Sequence, residues 1–431
     1  MMKTPKWAAF RPMAIALAAS IGLGASLPAF ADSEIEMLKK ELAAQRALIE
    51  QMLAERKAEK AEKAAAPAAG ARQVAGAGSN APTVSFYGVL DGGVEHISGI
   101  GADKNSVTRL PSITGTVASR VGVKASKEFA PGYKVIATAE AGFNLDDGTQ
   151  GQAGRLFGRQ LWAGLDTPYG SFTFGRQYSM LLGALGVADF LGPNIYALGS
   201  LDSYLPNARF DNSVAWRTKL DKVSLGLTYS TGRDTAGGAP ASGTCAGETV
   251  GDAQACRGWS AMVRYDDERF AFGAGIDEQR GGGGAKAYFF NGAAPVDFSR
   301  SGDTDTRMTI GGSVKIAGGK VGAGWLGRKL DSQANDIESN IYYINGAWPV
   351  MPKLTVDGGI YRVTNDDQDR DATLWVLRGL YALDTSLTAY LQLGHITNSD
   401  KAAYQVSVGA GIAPAAGNSQ TATMVGLRYM F

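Results

Sequence analysis

Histidine and cysteine are almost missing from this chain. Only His96, His395, Cys245 and Cys256 occur in 431 residues. That supply excludes a zinc centre built from Cys and His. Neither histidine sits in a recognisable nucleophile–base arrangement, so a histidine-based triad is excluded as well. No enzyme activity, cofactor or metal is expected. Charge is also scarce, at 19% of residues against about 25% in a typical soluble domain. The net charge of +1 projects no basic field, so nucleic acid is not an expected partner. Glycine is plentiful at 57 residues but shows no three-residue period, which excludes collagen. Mean hydropathy is −0.09, a value that suits a soluble protein. It equally suits a membrane β-barrel, whose apolar residues are diluted by alternation.

The front end differs from the rest. Lys3, Lys6 and Arg11 precede an apolar stretch over 13–27, and Ala29-Phe30-Ala31 forms an A-x-A cleavage site. Residues 1–31 therefore read as a secretory signal peptide. In an oxidising compartment, Cys245 and Cys256 then read as one disulfide closing a loop tip. Residues 32–63 are rich in Glu, Lys, Ala and Leu. Ile35, Leu38, Leu42, Gln45, Ile49 and Met52 recur at three- and four-residue spacings, an a/d seam. This segment reads as a short α-helical coiled coil, with a solvated helix or disordered tether as the alternative. Residues 64–82 form an Ala/Gly/Pro linker.

From Thr83 the apolar period changes to two. Val223, Leu225, Leu227 and Tyr229 alternate with Ser224, Gly226, Thr228 and Ser230, and several other segments repeat the pattern. Short turns near 130–132, 166–170, 219–222, 266–269, 317–320, 349–353 and 383–386 alternate with longer polar loops. The loops fall near 98–115, 145–154, 178–208, 232–257, 279–304, 330–337, 364–371 and 397–420. The expected fold is all-β: a 16-stranded antiparallel transmembrane β-barrel over 83–431. Short turns on one rim and long loops on the other suit an outer-membrane barrel. Lipid cannot satisfy a free sheet edge, so the sheet must close. Tyr87, Phe143, Trp162, Phe172, Phe174, Trp216, Tyr229, Trp259, Tyr361, Trp375 and Tyr429 are candidates for aromatic girdles.

Several motifs resemble one family. Ser85-Phe86-Tyr87-Gly88-Val89-Leu90-Asp91-Gly92 is similar to the opening strand of Gram-negative general porins of the β-proteobacterial type. Ser119-Arg120-Val121-Gly122-Val123-Lys124 resembles their second strand. Phe157-Gly158-Arg159-Gln160-Leu161-Trp162 and Ser171-Phe172-Thr173-Phe174-Gly175-Arg176 resemble the fourth and fifth. Val425-Gly426-Leu427-Arg428-Tyr429-Met430-Phe431 resembles the terminal strand. The coiled-coil segment lies outside the usual family pattern. The resemblance implies a homotrimer in the outer membrane of a Gram-negative bacterium, surrounded by lipid. Each barrel would pass small hydrophilic solutes and ions passively through a water-filled pore. It also implies a third loop folded inward, here 179–208. That loop carries Met180, Leu181, Leu182, Leu185, Phe190, Leu191 and Ile195, residues with no reason to face water.

The family pattern places arginines on the pore wall and acids on the third loop. Transferred here, the constriction comprises Arg120, Arg159, Arg209, Asp189 and Asp202, with Lys124, Glu140 and Arg217 as further lining. Parity with Phe172 and Phe174 sends Arg176 to the rim or a subunit interface. Bases outnumber acids in this set, a lean toward anions. Over 83–431, however, 33 Asp and Glu stand against 31 Lys and Arg. The two cues disagree, so selectivity stays open between a general channel and an anion-preferring one. A third alternative is a barrel whose periplasmic coiled coil tethers the membrane to peptidoglycan.

Overall fold

A computed structural model describes residues 72–75 (backbone only), 81–233 and 245–431. The signal peptide over 1–31 and the coiled coil over 32–63 lie outside the described residues. Within the stretch expected as linker, Arg72–Ala75 pairs antiparallel with Thr83–Phe86.

Sixteen strands form the wall. They are β1 (Thr83–Ile100), β2 (Arg120–Ala130), β3 (Tyr133–Gly142) and β4 (Gln160–Thr167). Next come β5 (Gly170–Tyr178), β6 (Arg209–Leu220), β7 (Val223–Ser230) and β8 (Gly258–Asp266). Then follow β9 (Phe270–Arg280), β10 (Thr304–Ile316), β11 (Gly319–Asp331) and β12 (Asp336–Met351). The last four are β13 (Leu354–Thr364), β14 (Ala372–Ala382), β15 (Leu387–Asn398) and β16 (Gln420–Met430). Each pairs antiparallel with its neighbours in sequence. Closure depends on β1, whose first half pairs with β2 and whose second half pairs with β16. The C-terminus seals the seam: Gly88 N donates to Phe431 O at 2.8 Å and Phe431 N to Gly88 O at 3.1 Å. A strand Asn105–Arg109 folds back on the upper end of β1.

The alternation places large apolar side chains outside. Ile310 is 61% exposed and Val425 58%; in a bilayer these meet acyl chains. Trp259, Trp375, Tyr229 and Tyr429 share that outer face. Tyr87 and Tyr361, read as girdle residues, instead turn inward and hydrogen-bond Glu140 and Asp189. Their hydroxyls find carboxylates only in the lumen.

The third loop, 179–208, folds into the barrel interior and packs on its wall. Ser179 Oγ accepts from Leu181 N at 3.1 Å and caps helix α1 (Met180–Leu185). A second turn, α2, spans Leu198–Leu201. Leu181, Leu185, Leu191, Ile195, Leu198, Leu201 and Leu205 are all buried, each worth about 1.5–3 kcal/mol of burial. The receiving wall is glycine. A Cβ on Gly273 would lie 2.7 Å from Ala184 O, and one on Gly322 2.2 Å from Ala188 O. The glycine surplus thus serves close approach of loop backbone to strand.

Cys245 and Cys256 form a disulfide, with Cα atoms 5.5 Å apart. It is not at a loop tip. Both residues are fully buried, clustered with Ala285, Phe289, Phe298, Leu330 and Ile337 from the neighbouring loop and the ends of β11 and β12. The cross-link therefore closes one long loop on itself and holds it in the shape that packs against the next loop. A disulfide of this kind contributes about 2–4 kcal/mol. In the Cys245→Ser/Cys256→Ser double variant, limited proteolysis is expected to cleave the loop between β7 and β8 faster. The heat-modifiable gel shift of the folded barrel should stay unchanged. Equal cleavage rates would contradict this role.

Candidate functional site

The third loop divides the interior into two unlike halves. On its front side, toward β2–β8, lies a cavity of about 630 Å³. Six arginines line it: Arg120, Arg155, Arg159, Arg176, Arg209 and Arg217. Facing them are Met180, Leu182, Pro193, Pro206 and Asn207 of the loop. Among the described residues no carboxylate lines the cavity. Two stand behind the arginines. Glu140 accepts from Arg159 at 2.9 Å and lies 3.5 Å from Arg120. Asp211 pairs with Arg155 at 2.9 Å and closely with Arg176. Arg209 and Arg217 have no carboxylate partner among the described residues. Arg209 donates to Pro206 O and to the Tyr178 hydroxyl, both at 3.1 Å. Its guanidinium lies 4.6 Å from the Tyr178 ring centre, a cation–π distance. Arg217 donates to Gln177 Oε1 at 2.9 Å and Thr173 Oγ1 at 3.2 Å.

The expected pore residues divide between the two sides. Arg120, Arg159, Arg209 and Arg217 come together at the cavity, with Glu140 as their buried counter-charge. Lys124 stands away from the lining, its ammonium 5.0 Å from the Tyr87 ring. Asp189 and Asp202 lie behind the loop against the opposite wall. Asp202 receives Arg307 through two bonds at 2.6 and 3.0 Å. Arg307 also meets Asp305, which Arg328 holds at 2.7 Å. Asp189 Oδ1 accepts from the Tyr361 hydroxyl at 3.0 Å, and its Oδ2 is buried without a partner. Charges on this rear wall alternate in sign. Those on the front wall do not.

Arg176 corrects the parity reading. At Gly175 the register against β6 shifts: Gly175 pairs with Ser213, but Gln177 pairs with Phe210. Gly175 adopts φ +124°, and a Cβ there would lie 2.3 Å from Leu161 O. Only glycine fits this bulge. The bulge turns Arg176 from the Phe174 face into the lumen, onto Asp211. Arg155, Tyr178 and Met262 also line the cavity unforeseen. Arg155 sits in an irregular glycine-bearing loop where neither period applies.

A family model described as Gram-negative porin matches residues 63–401. An outer membrane porin of Bordetella pertussis is 31% identical over 171 residues, 36% of this chain and 44% of that protein. The match therefore spans under half of that relative's length. Among solved structures, an anion-selective porin from Comamonas acidovorans superposes with a TM-score of 0.65 at 20% identity, over 81% of this chain and 100% of that one. The trimer form of OmpT, an outer membrane protein of Vibrio cholerae, gives 0.57 at 19% identity, over 81% and 99%. Both likenesses concern the fold.

Burial pushes the Asp189 carboxyl up to about 7, against the opposing pull of the Tyr361 hydrogen bond. Asp202 is buried too, yet Arg307 and Arg328 hold it below the ordinary carboxylate range. A carboxyl raised in the folded state contributes stability that is complete below its unfolded value and is lost as pH rises through the folded one. Loop anchoring at Asp189 should accordingly weaken between pH 4 and pH 7. The urea midpoint of detergent-folded protein is expected to fall over about that window. In Asp189→Asn the fall should be smaller. An identical pH profile in the variant would remove Asp189 from this role.

Proposed function

Because the chain belongs to the Gram-negative porin family, we propose that it is an outer-membrane channel for passive diffusion of small hydrophilic solutes and ions, with anions preferred over cations. One observation carries the preference: six guanidinium groups line the passage and both acids of the third loop point away from it. Two carboxylates behind six arginines leave an uncompensated positive field in a narrow, low-dielectric space. Such a field raises the local concentration of anions and repels cations. Arg120, Arg159 and Arg209 form the charged side of the constriction, together with Arg155, Arg176 and Arg217. Asp189 and Asp202 serve as anchors that hold the loop at its width. The Comamonas relative is named an anion-selective porin, which agrees with this reading. The apolar outer face suits lipid, and the trimer form of the Vibrio structure supports a homotrimer. Hydrogen bonding and ion pairing by the wall residues suffice for this activity, so no catalytic step is assigned.

Planar-bilayer recording of the purified protein in a potassium chloride gradient tests the proposal. The reversal potential should lie toward the chloride equilibrium potential. In Arg209→Gln/Arg217→Gln, which strands no acid, it should move toward potassium by an amount readable at low salt and reduced at high salt. A wild-type reversal potential on the potassium side would reject anion preference. Absence of conductance would reject the channel.

A further inference from the structure

Anion preference alone leaves the loop side of the cavity unexplained. A passage built only for hydrated inorganic ions has no use for an apolar wall. Yet Met180, Leu182 and Pro206 of the loop, with Met262 of the β8 wall beside the arginines, line the cavity. Their arrangement is close-packed. A Cβ on Gly226 would lie 2.5 Å from Met180 Sδ and 3.1 Å from Met262 Cε. Gly226 is the direct cross-strand partner of Arg217. The two thioethers therefore sit beside an arginine that lacks a carboxylate. Arg209 supplies the second free charge: it is buried, and its Nε has no hydrogen-bond partner. A guanidinium without a counter-charge beside an apolar strip is the polar half of a binding site.

Resting on the anion preference proposed above, we infer that the cavity is a saturable binding site for amphiphilic monocarboxylates. The carboxylate pairs with Arg217, which no acid among the described residues neutralises, in the field of Arg209. The hydrocarbon tail lies on Met180, Leu182 and Met262, whose flexible thioethers adapt to tails of different shape. Guanidinium forks suit a planar carboxylate. Each methylene placed on the apolar wall adds to affinity. Small hydrophilic anions pass the same arginines without being held.

The test uses single-channel current through the full-length protein in lipid bilayers, with acetate, hexanoate, succinate or phosphate added. Hexanoate is expected to interrupt the current saturably, at a half-blocking concentration about tenfold below that of acetate. Succinate and phosphate should block less well than hexanoate. Met180→Gln/Met262→Gln should bring hexanoate to the level of acetate. Arg217→Gln should weaken acetate and hexanoate alike. The wild-type ligand series stands by itself if a variant fails to fold. Equal block by acetate and hexanoate, or tighter block by succinate or phosphate, overturns this inference and leaves the anion preference intact. A cation-selective reversal potential instead overturns the preference on which it rests.

Discussion

Everything in this barrel depends on strand β1 serving two partners. In a bilayer an unpaired backbone amide costs several kcal/mol, with no water to satisfy it. A sixteen-strand sheet is viable there only if its first and last members meet. β1 meets β2 along residues 83–89 and β16 along 89–98, and the terminal Phe431 bonds back to Gly88. Closure fixes an inside and an outside. The two-residue period then assigns apolar side chains to lipid and polar ones to the lumen.

Within the cylinder, the third loop acts as a partition. It leans on the β9–β13 wall, where glycines admit its backbone and where Arg307 and Tyr361 capture its two acids. Removing one partner of a buried ion pair costs about 3–5 kcal/mol, so the Asp202–Arg307 contact holds the loop firmly. One consequence is electrostatic. The loop's acids are used up on the rear wall and cannot neutralise the arginines in front. The anchoring that narrows the pore also leaves its charge unbalanced.

Much of this was legible in the sequence. Alternation, seven short turns and the long loops between them suffice for the sheet, because each follows from local chemistry. The apolar composition of 179–208 likewise revealed a loop turned inward. What periodicity could not resolve was direction inside irregular backbone. Asp189 and Asp202 look alike in sequence to acids that face a pore, since a loop has no period from which to read orientation. Arg176 departs from its parity because one bulge at Gly175 reverses it, and a glycine between an aromatic and an arginine does not announce a bulge. By residue type alone Tyr87 and Tyr361 read as girdle residues. Their hydroxyls point to buried carboxylates that only the closed barrel brings near. The disulfide pairing was readable, but its burial against a second loop was not.

The central claim is that the passage runs along the front of the third loop and that its back is sealed against the wall. Thiol accessibility during single-channel recording tests it most directly, because the two native cysteines are already joined. Asn207→Cys places a thiol on the cavity side, and Ala188→Cys places one on the fully buried rear side. A charged thiol reagent should change the unitary current in steps for Asn207→Cys and leave Ala188→Cys untouched. Modification of Ala188→Cys with no effect at Asn207→Cys would contradict the account.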